Sequence, residues 1–302
     1  MSRLILGINT DHADSSAALV GEDGIIAAIA EERINRKKHC ADFPARAIEE
    51  VLRIAGAQVS DLTDIAVARD PQASLTKKAA FVARYPTKAG KQAFKRLAIH
   101  RRAASAADRM AEEMGVARGD IRASMHAVGH HLAHVASAYY WSPFDRCVAF
   151  TNDGVGDFAS TMWAQCEGNN ISVLERTHWP HSLGVFYTAV CQFIGFDGYG
   201  EEYKVMGLSA YGRNRYSRLM RDLVRFDADS GLRLNLDYYR HHLKEGTFEV
   251  IKDGKVNLEM LYSDRLGQEL GPPRKRTEPI GEREQDLASS MQTRYEEVFL
   301  DM

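Results

Sequence analysis

Apolar and polar positions alternate with two periods along this chain. Leu4–Ile8, Ser16–Val20 and Ile25–Ala30 are short apolar runs, and Gly21-Glu22-Asp23-Gly24 separates the last two. A Gly/Asp cluster between apolar runs predicts a hairpin. The link from Asn9 to Ser15 is polar and has no bulky apolar residue. Such a turn leaves backbone N–H groups free to approach a phosphate, and it equally fits an ordinary hairpin loop. Residues 44–55 change period: Ile48, Val51, Leu52 and Ala55 form one helical stripe, with Pro44 suited to the first turn and Gly56 to the C-terminal cap. Ile65–Ala68 predicts a strand, so the order is strands, helix, strand, an α/β or α+β layered domain.

The second half repeats the theme. Ser124–Val128 predicts a short strand, His131–Trp141 a helix stopped at Ser142-Pro143, and Cys147–Thr151 a buried strand. A tight turn, Asn152–Asp157, leads into strands at Thr161–Ala164 and Ile171–Leu174. Residues 183–196 predict a helix, 197–212 a glycine-rich connection, and 213–280 an irregular, charged stretch. Residues 282–300 predict an amphipathic helix with Leu287, Met291, Tyr295 and Val298 on one face.

Length and charge then narrow the class. A chain of 302 residues suggests two structural units. Thirty-nine Lys+Arg against 41 Asp+Glu argue against a generally basic nucleic-acid coat. Charge is uneven, however: residues 71–107 carry nine Lys/Arg and no Asp or Glu. That segment fits either an anion-attracting surface or a solvated helix face. The longest apolar run, Ile25–Ala30, is far below a membrane span, and the N-terminus lacks a signal-peptide apolar core, so a cytoplasmic protein is expected. The four cysteines, Cys40, Cys147, Cys166 and Cys191, show no C-x2-C spacing; free thiols are expected rather than a zinc ribbon.

Three clusters could carry chemistry. On a helix, His130 and His134 share a face and could hold one metal ion, whereas His131 is rotated away; a bare pair also fits surface or core histidines. Asp153-Gly154-Val155-Gly156-Asp157 follows a strand. A carboxylate there could complete a two-histidine, one-carboxylate site open to Fe(II) or Zn, or the run could be a turn that uses Asp and Gly for their dihedrals. Glu201, Glu202 and Lys204 crowd a glycine-bounded loop suited to nucleotide or substrate contacts or to a plain surface.

Together these segments resemble the N-terminal part of the NodU/CmcH-type carbamoyltransferases. The matching stretches are Ala13–Leu19, Glu31–His39 followed by Phe43-Pro44, His130-His131-x-x-His134, Asp153-Gly154-x-Gly156, Ser182-Leu183-Gly184-x-x-Tyr187, Gly200–Leu208 and Asp286–Gln292. The resemblance implies an actin-like ATPase (ASKHA, TsaD-like) α/β fold. Residues 1–120 would form a first lobe with a basic helical insertion at 71–107, and 121–302 a second lobe lacking its C-terminal part. It implies metal ligands His130, His134 and Asp153 for Fe(II), with Zn not distinguished. A carbamoyl group would pass from a carbamoyladenylate, made from carbamoyl phosphate and ATP, to a hydroxyl of a natural-product or sugar acceptor. Asp14, Ser15, Ser16, Lys38, His39, Gly154, Gly156, Glu202 and Lys204 are the expected nucleotide or substrate contacts. A YrdC-like domain, a later glycine-rich segment and a further Asp ligand of the family are absent, so a separate C-terminal half is expected as partner and weak metal binding is expected without it. The alternatives are TsaD-like transfer to tRNA, for which nucleic-acid binding is not otherwise expected, and a non-catalytic degenerate fragment.

Overall fold

The computed structural model describes residues 3–85, 106–243, 249–252 and 254–302. These fall into two compact units. The first holds residues 3–73 and 106–133 with 250–252 and 254–257; the second holds 74–85, 134–243 and 258–302. Of the cationic segment 71–107, residues 86–105 lie outside the described residues. The described part includes a helix, Leu75–Arg84.

The first unit is built on a five-stranded sheet of β1 (Ile5–Asn9), β2 (Ser16–Gly21), β3 (Gly24–Ala30), β4 (Asp64–Val67) and β5 (Ser124–Ala127), ordered β3-β2-β1-β4-β5. β1, β2 and β3 form an antiparallel meander, and β4 and β5 add parallel to β1's other edge. α1 (Glu31–Asn35) follows β3, and α2 (Ala45–Ala55) packs on β2 and β3. The predicted helical stripe is the reason: Ile48 and Val51 are fully buried beside Leu6, Leu19 and Ile65. Gly56 closes α2 in the left-handed region at φ 64°, as the capping pattern predicts. Helices α3 (Leu75–Arg84) and α4 (Ala106–Met114) come next in the chain, and α4 contributes the buried Met110 to this first core.

Helix α5 (His130–Tyr139) leads into the second sheet: β6 (Arg146–Gly156), β7 (Ala159–Glu167) and β8 (Asn170–His178), an antiparallel meander in the order β6-β7-β8. The β6–β7 register shifts between Asn152 and Gly156, so the ladder bulges at Asp153-Gly154 while β6 itself continues to Gly156. α6 (Leu183–Phe193) is buried along nearly its whole length, with Ser182 as its N-cap accepting a hydrogen bond from the Val185 N–H at 3.1 Å. α7 (Glu202–Ser209) and α10 (Glu282–Asp301) pack against it, α8 (Ser217–Leu223) packs on α10, and α9 (Asp264–Leu270) adds Leu266 to the same core. Leu287, Met291 and Val298 of α10 enter the second core, and Tyr295 packs against it.

Three expectations change. The tight turn expected at Asn152–Asp157 is instead the end of β6, which runs to Gly156; the chain reverses at Asp157-Phe158, both in the left-handed region at φ 49° and 71°. The connection 197–212 contains the helix α7, because Tyr203–Leu208 can follow the helical path once Val205 is buried. The stretch 213–280 is also not irregular: it forms α8, an antiparallel pair β9 (Val224–Asp227) and β10 (Gly231–Leu234), the pair β11 (Glu249–Lys252) and β12 (Lys255–Leu258), and α9. Its scattered apolar residues, Met220, Leu223, Leu232, Tyr239, Leu261 and Leu266, become fully buried only by tertiary packing.

Candidate metal centre

The metal pattern expected from spacing is assembled in three dimensions. His130 opens α5 and His134 stands one turn later on the same helix. His130, His134 and Asp153 each present a ligand atom, and those atoms lie within 4.8 Å of one another. His134 Nε2 is 3.5 Å from Asp153 Oδ2. The hydrogen bond to this carboxylate raises the His134 imidazole above its ordinary range, against partial burial, which lowers it. A proton held there must leave before Nε2 can bind a cation.

The backbone aims Asp153. Its Oδ1 accepts the Gly154 N–H at 2.6 Å, which leaves Oδ2 toward His134. Ser182 Oγ donates to the Asp153 carbonyl at 3.1 Å while capping α6. Gly184 lies so close that a Cβ there would sit 2.9 Å from Gly154 Cα and 3.0 Å from both Asp153 O and Gly154 N. Ser182-Leu183-Gly184 is thus the support for the Asp153-Gly154 bulge of β6. Two imidazoles and a carboxylate are the donor set that Fe(II) and Zn accept, so the residues present fit such an ion.

The structure also places the other candidates. The β1–β2 loop carries Asp11 and Asp14 in the left-handed region, at φ 57° and 61°, a conformation Asp tolerates better than most residues. Asn9 Nδ2 donates to the carbonyls of Ala13 and Asp14 and closes this loop. Ser15 is fully buried and its hydroxyl has no hydrogen-bond partner among the described residues; Ser16 pairs with Asn9 in the β1–β2 ladder. His39 Nδ1 lies 3.0 Å from Asp14 Oδ1, and the His39 N–H donates to Glu32 Oε2 at 2.9 Å. Asp14, Glu32 and His39 therefore form a second group of possible ligand atoms. Lys38 is exposed. Gly156 is buried and pairs with Ala159.

Glu202 and Lys204 are committed to the protein's own contacts. Glu202 Oε1 accepts from Thr188 Oγ1 at 2.8 Å, and Lys204 Nζ donates to Glu201 Oε1 at 2.6 Å. Glu201 also accepts from the Gly198 N–H and from both Nη atoms of Arg276. Burial pushes the Glu201 carboxyl up, but these donors together hold it below its ordinary range. The crowded loop charges are thus a fixed network.

His12 escaped the sequence reading. Its ring centroid is 5.5 Å from that of His130. Its signal was visible as an imidazole in the polar run Asp11-His12-Ala13-Asp14, beside residues already singled out. Arg276, which braces Glu201, had no signal, because it comes from a distant stretch with no periodicity.

Comparison with known proteins gives the family. The family model "Carbamoyltransferase N-terminus" matches residues 4–301. The sll1178 protein of Synechocystis sp. is 31% identical over 98% of this chain and 47% of its own length. Nodulation protein NolNO of Sinorhizobium fredii is 30% identical over 96% of this chain and 38% of its own length. Among solved structures, YeaZ from Pseudomonas aeruginosa aligns with 57% of this chain and 64% of its own, at 16% identity and a TM-score of 0.30, too distant to bear on the fold. The chain belongs to the carbamoyltransferase N-terminus family. It spans about half or less of the length of these curated relatives.

Proposed function

We propose that this chain forms the metal-holding acyl-transfer part of a carbamoyltransferase that delivers a carbamoyl group to a hydroxyl of a small-molecule acceptor, a natural product or sugar. The reading rests on one observation: the ligand atoms of His130, His134 and Asp153 converge in a chain of this family. His130, His134 and Asp153 would hold Fe(II) or Zn. Such an ion supplies Lewis-acid polarisation of an acyl or phosphate oxygen. The protein's own contribution is preorganisation. Gly154 N–H fixes one Asp153 oxygen, and Ser182 and Gly184 fix the backbone that carries it. The carbamoyl donor is carbamoyladenylate, formed from carbamoyl phosphate and ATP by a YrdC-like segment beyond this chain.

In the first unit the loop of Asp14, Ser15 and Ser16, with Lys38 and His39, is the candidate nucleotide or substrate contact; in the second unit it is the Gly154 and Gly156 backbone. The buried Ser15 hydroxyl, without a partner among the described residues, supports a polar ligand at its loop. Glu202 and Lys204 act through the α7 network, holding the loop rather than touching the nucleotide. An actin-like, TsaD-like arrangement fits the repetition of an antiparallel meander at the start of both units.

The test is anaerobic metal analysis of the purified chain, alone and co-expressed with a separately encoded C-terminal half, with His130→Ala as control. Near-stoichiometric iron or zinc, lost in the variant, is the expected result, followed by carbamoylation of hydroxyl acceptors. No metal in either preparation would refute the reading in favour of a degenerate, non-catalytic domain.

A further inference from the structure

Cys147 on β6 and Cys166 on β7 are direct cross-strand partners in the antiparallel ladder. Residues directly opposite in such a ladder project from the same face, with Cβ atoms about 4.5–5.5 Å apart. Disulfides close at Cβ separations of about 3.5–4.5 Å, so the two strands must draw together locally by up to about 1 Å at this pair. Both residues are free thiols. The two sulfurs are within hydrogen-bond reach, and burial together with the Cys147 sulfur raises the Cys166 thiol. The other two cysteines differ. Cys40 is buried against Asn35 Nδ2 at 3.3 Å, and Cys191 is buried inside the second core; neither is paired in a ladder with a cysteine.

We propose that Cys147 and Cys166 are a redox modification site, closing to a reversible cross-strand disulfide when the protein meets hydrogen peroxide. Exposure sets the order of the chemistry. Cys147 is half-buried and Cys166 is fully buried, so Cys147 meets the oxidant first. The Cys147 thiolate attacks one peroxide oxygen, the O–O bond breaks, and a sulfenic acid forms with release of hydroxide, which becomes water with the thiol's proton. The Cys166 sulfur then attacks the Cys147 sulfur. The S–S bond forms, the S–O bond breaks, and the Cys166 proton leaves with the hydroxyl as a second water. Two thiols are oxidised by two electrons and one hydrogen peroxide is reduced. Cys166 is the resolving group because it sits beside Cys147 and out of reach of bulk reagent.

The consequence falls on a strand with another role. β6 carries both Cys147 and Asp153, and Tyr139 at the end of α5 anchors the same region through its hydroxyl, which donates to the Asp145 and Gly168 carbonyls at 2.9 and 3.0 Å. A covalent tie would fasten β6 to β7 in their existing register.

The test is peroxide treatment of the folded full chain, quenched by alkylation and mapped by mass spectrometry without reductant. A peptide pair linked through Cys147 and Cys166, lighter by two hydrogens and released by dithiothreitol, is expected. It is lost in Cys147→Ser, at the half-buried position, and retained in Cys40→Ser. A melting temperature raised by oxidation in wild type but not in Cys147→Ser provides a second readout. Sulfinic acid on Cys147 without a crosslink, chains joined through Cys147, or linkage seen only in denaturant would each overturn the proposal.

Discussion

Gly184→Ala tests how the Asp153 segment of β6 is supported. The added Cβ would lie 2.9 Å from Gly154 Cα and 3.0 Å from Asp153 O and Gly154 N, where ordinary carbon contacts lie at about 3.5–4.0 Å. All three neighbours are backbone atoms, so no side chain can swing aside. The helix and the strand must part by roughly half an ångström, and the Ser182 hydroxyl bond to the Asp153 carbonyl stretches with them. Overpacking of this kind costs about 1–3 kcal/mol. At about 2–4 °C per kcal/mol, that is a fall of roughly 2–12 °C in melting temperature. Because the displaced backbone carries a proposed ligand, affinity for Zn or Co(II) should also fall, by about 10–100-fold, the usual scale for loss of a supporting contact. The control is Gly207→Ala on α7, where a Cβ meets nothing within 4 Å. It should be neutral or stabilising by up to about 1 kcal/mol, from helix propensity. Thermal melts and metal titrations of both variants decide the matter. Equal behaviour of the two alanines would refute the close-approach argument.

Acid should destabilise the second unit through two neutral histidines. Burial lowers His241 to about 3 and His181 to about 4, against 6.5 when free in solution. Both bind more protons unfolded than folded below that value, so stability is full above about pH 6.5 and falls as pH drops toward 4. Between about pH 7 and pH 5 the fully buried His241 should cost about 2 kcal/mol, and His181, partly open to solvent, about 1 kcal/mol. Guanidinium unfolding across this range checks it; a slope unchanged in His241→Phe would disprove the assignment. Separately, Glu201→Ala removes the shared acceptor of Lys204, Arg276 and the Gly198 N–H, and should cost about 1–3 kcal/mol by denaturant titration, discounted because both cations are partly solvated. The Glu201 carboxyl is held below its ordinary range, so its contribution is present above about pH 4.5 and lost as pH falls; a variant as stable as wild type would show the network to be idle.

What was legible in the sequence follows from how local each cause is. The β1–β2–β3 meander and α2 were readable because their apolar period and their Gly turns lie within a few residues. The His130–His134 pair was readable because a helix fixes i and i+4 by geometry. Bringing Asp153 to His134 was an inference from order along the chain, and the contact at 3.5 Å is its tertiary outcome. The region 213–280 was unreadable for the opposite reason. Its strands are four residues long, and its helices take their buried face from partners far away in sequence, such as Leu287 and Met291 on α10.

β6 shows the remaining gap most clearly. Cys147-Val148-Ala149-Phe150 has the continuous apolar composition of a strand covered on both faces. Among the described strands it lies at a sheet edge, and Val148 is 64% exposed. In the first unit the corresponding meander strand, β1, has β4 alongside in parallel, and there Leu6 and Ile8 are buried. Composition therefore records how much apolar surface a strand carries, while burial depends on which neighbours the ladder supplies. The same separation holds at the candidate metal centre. Residue types and spacing name the donors His130, His134 and Asp153, but Ser182, Gly184 and the Gly154 N–H decide where the carboxylate points. Substitutions in that supporting set are therefore the sharper probe of the site, because they leave every donor in place and change only its aim.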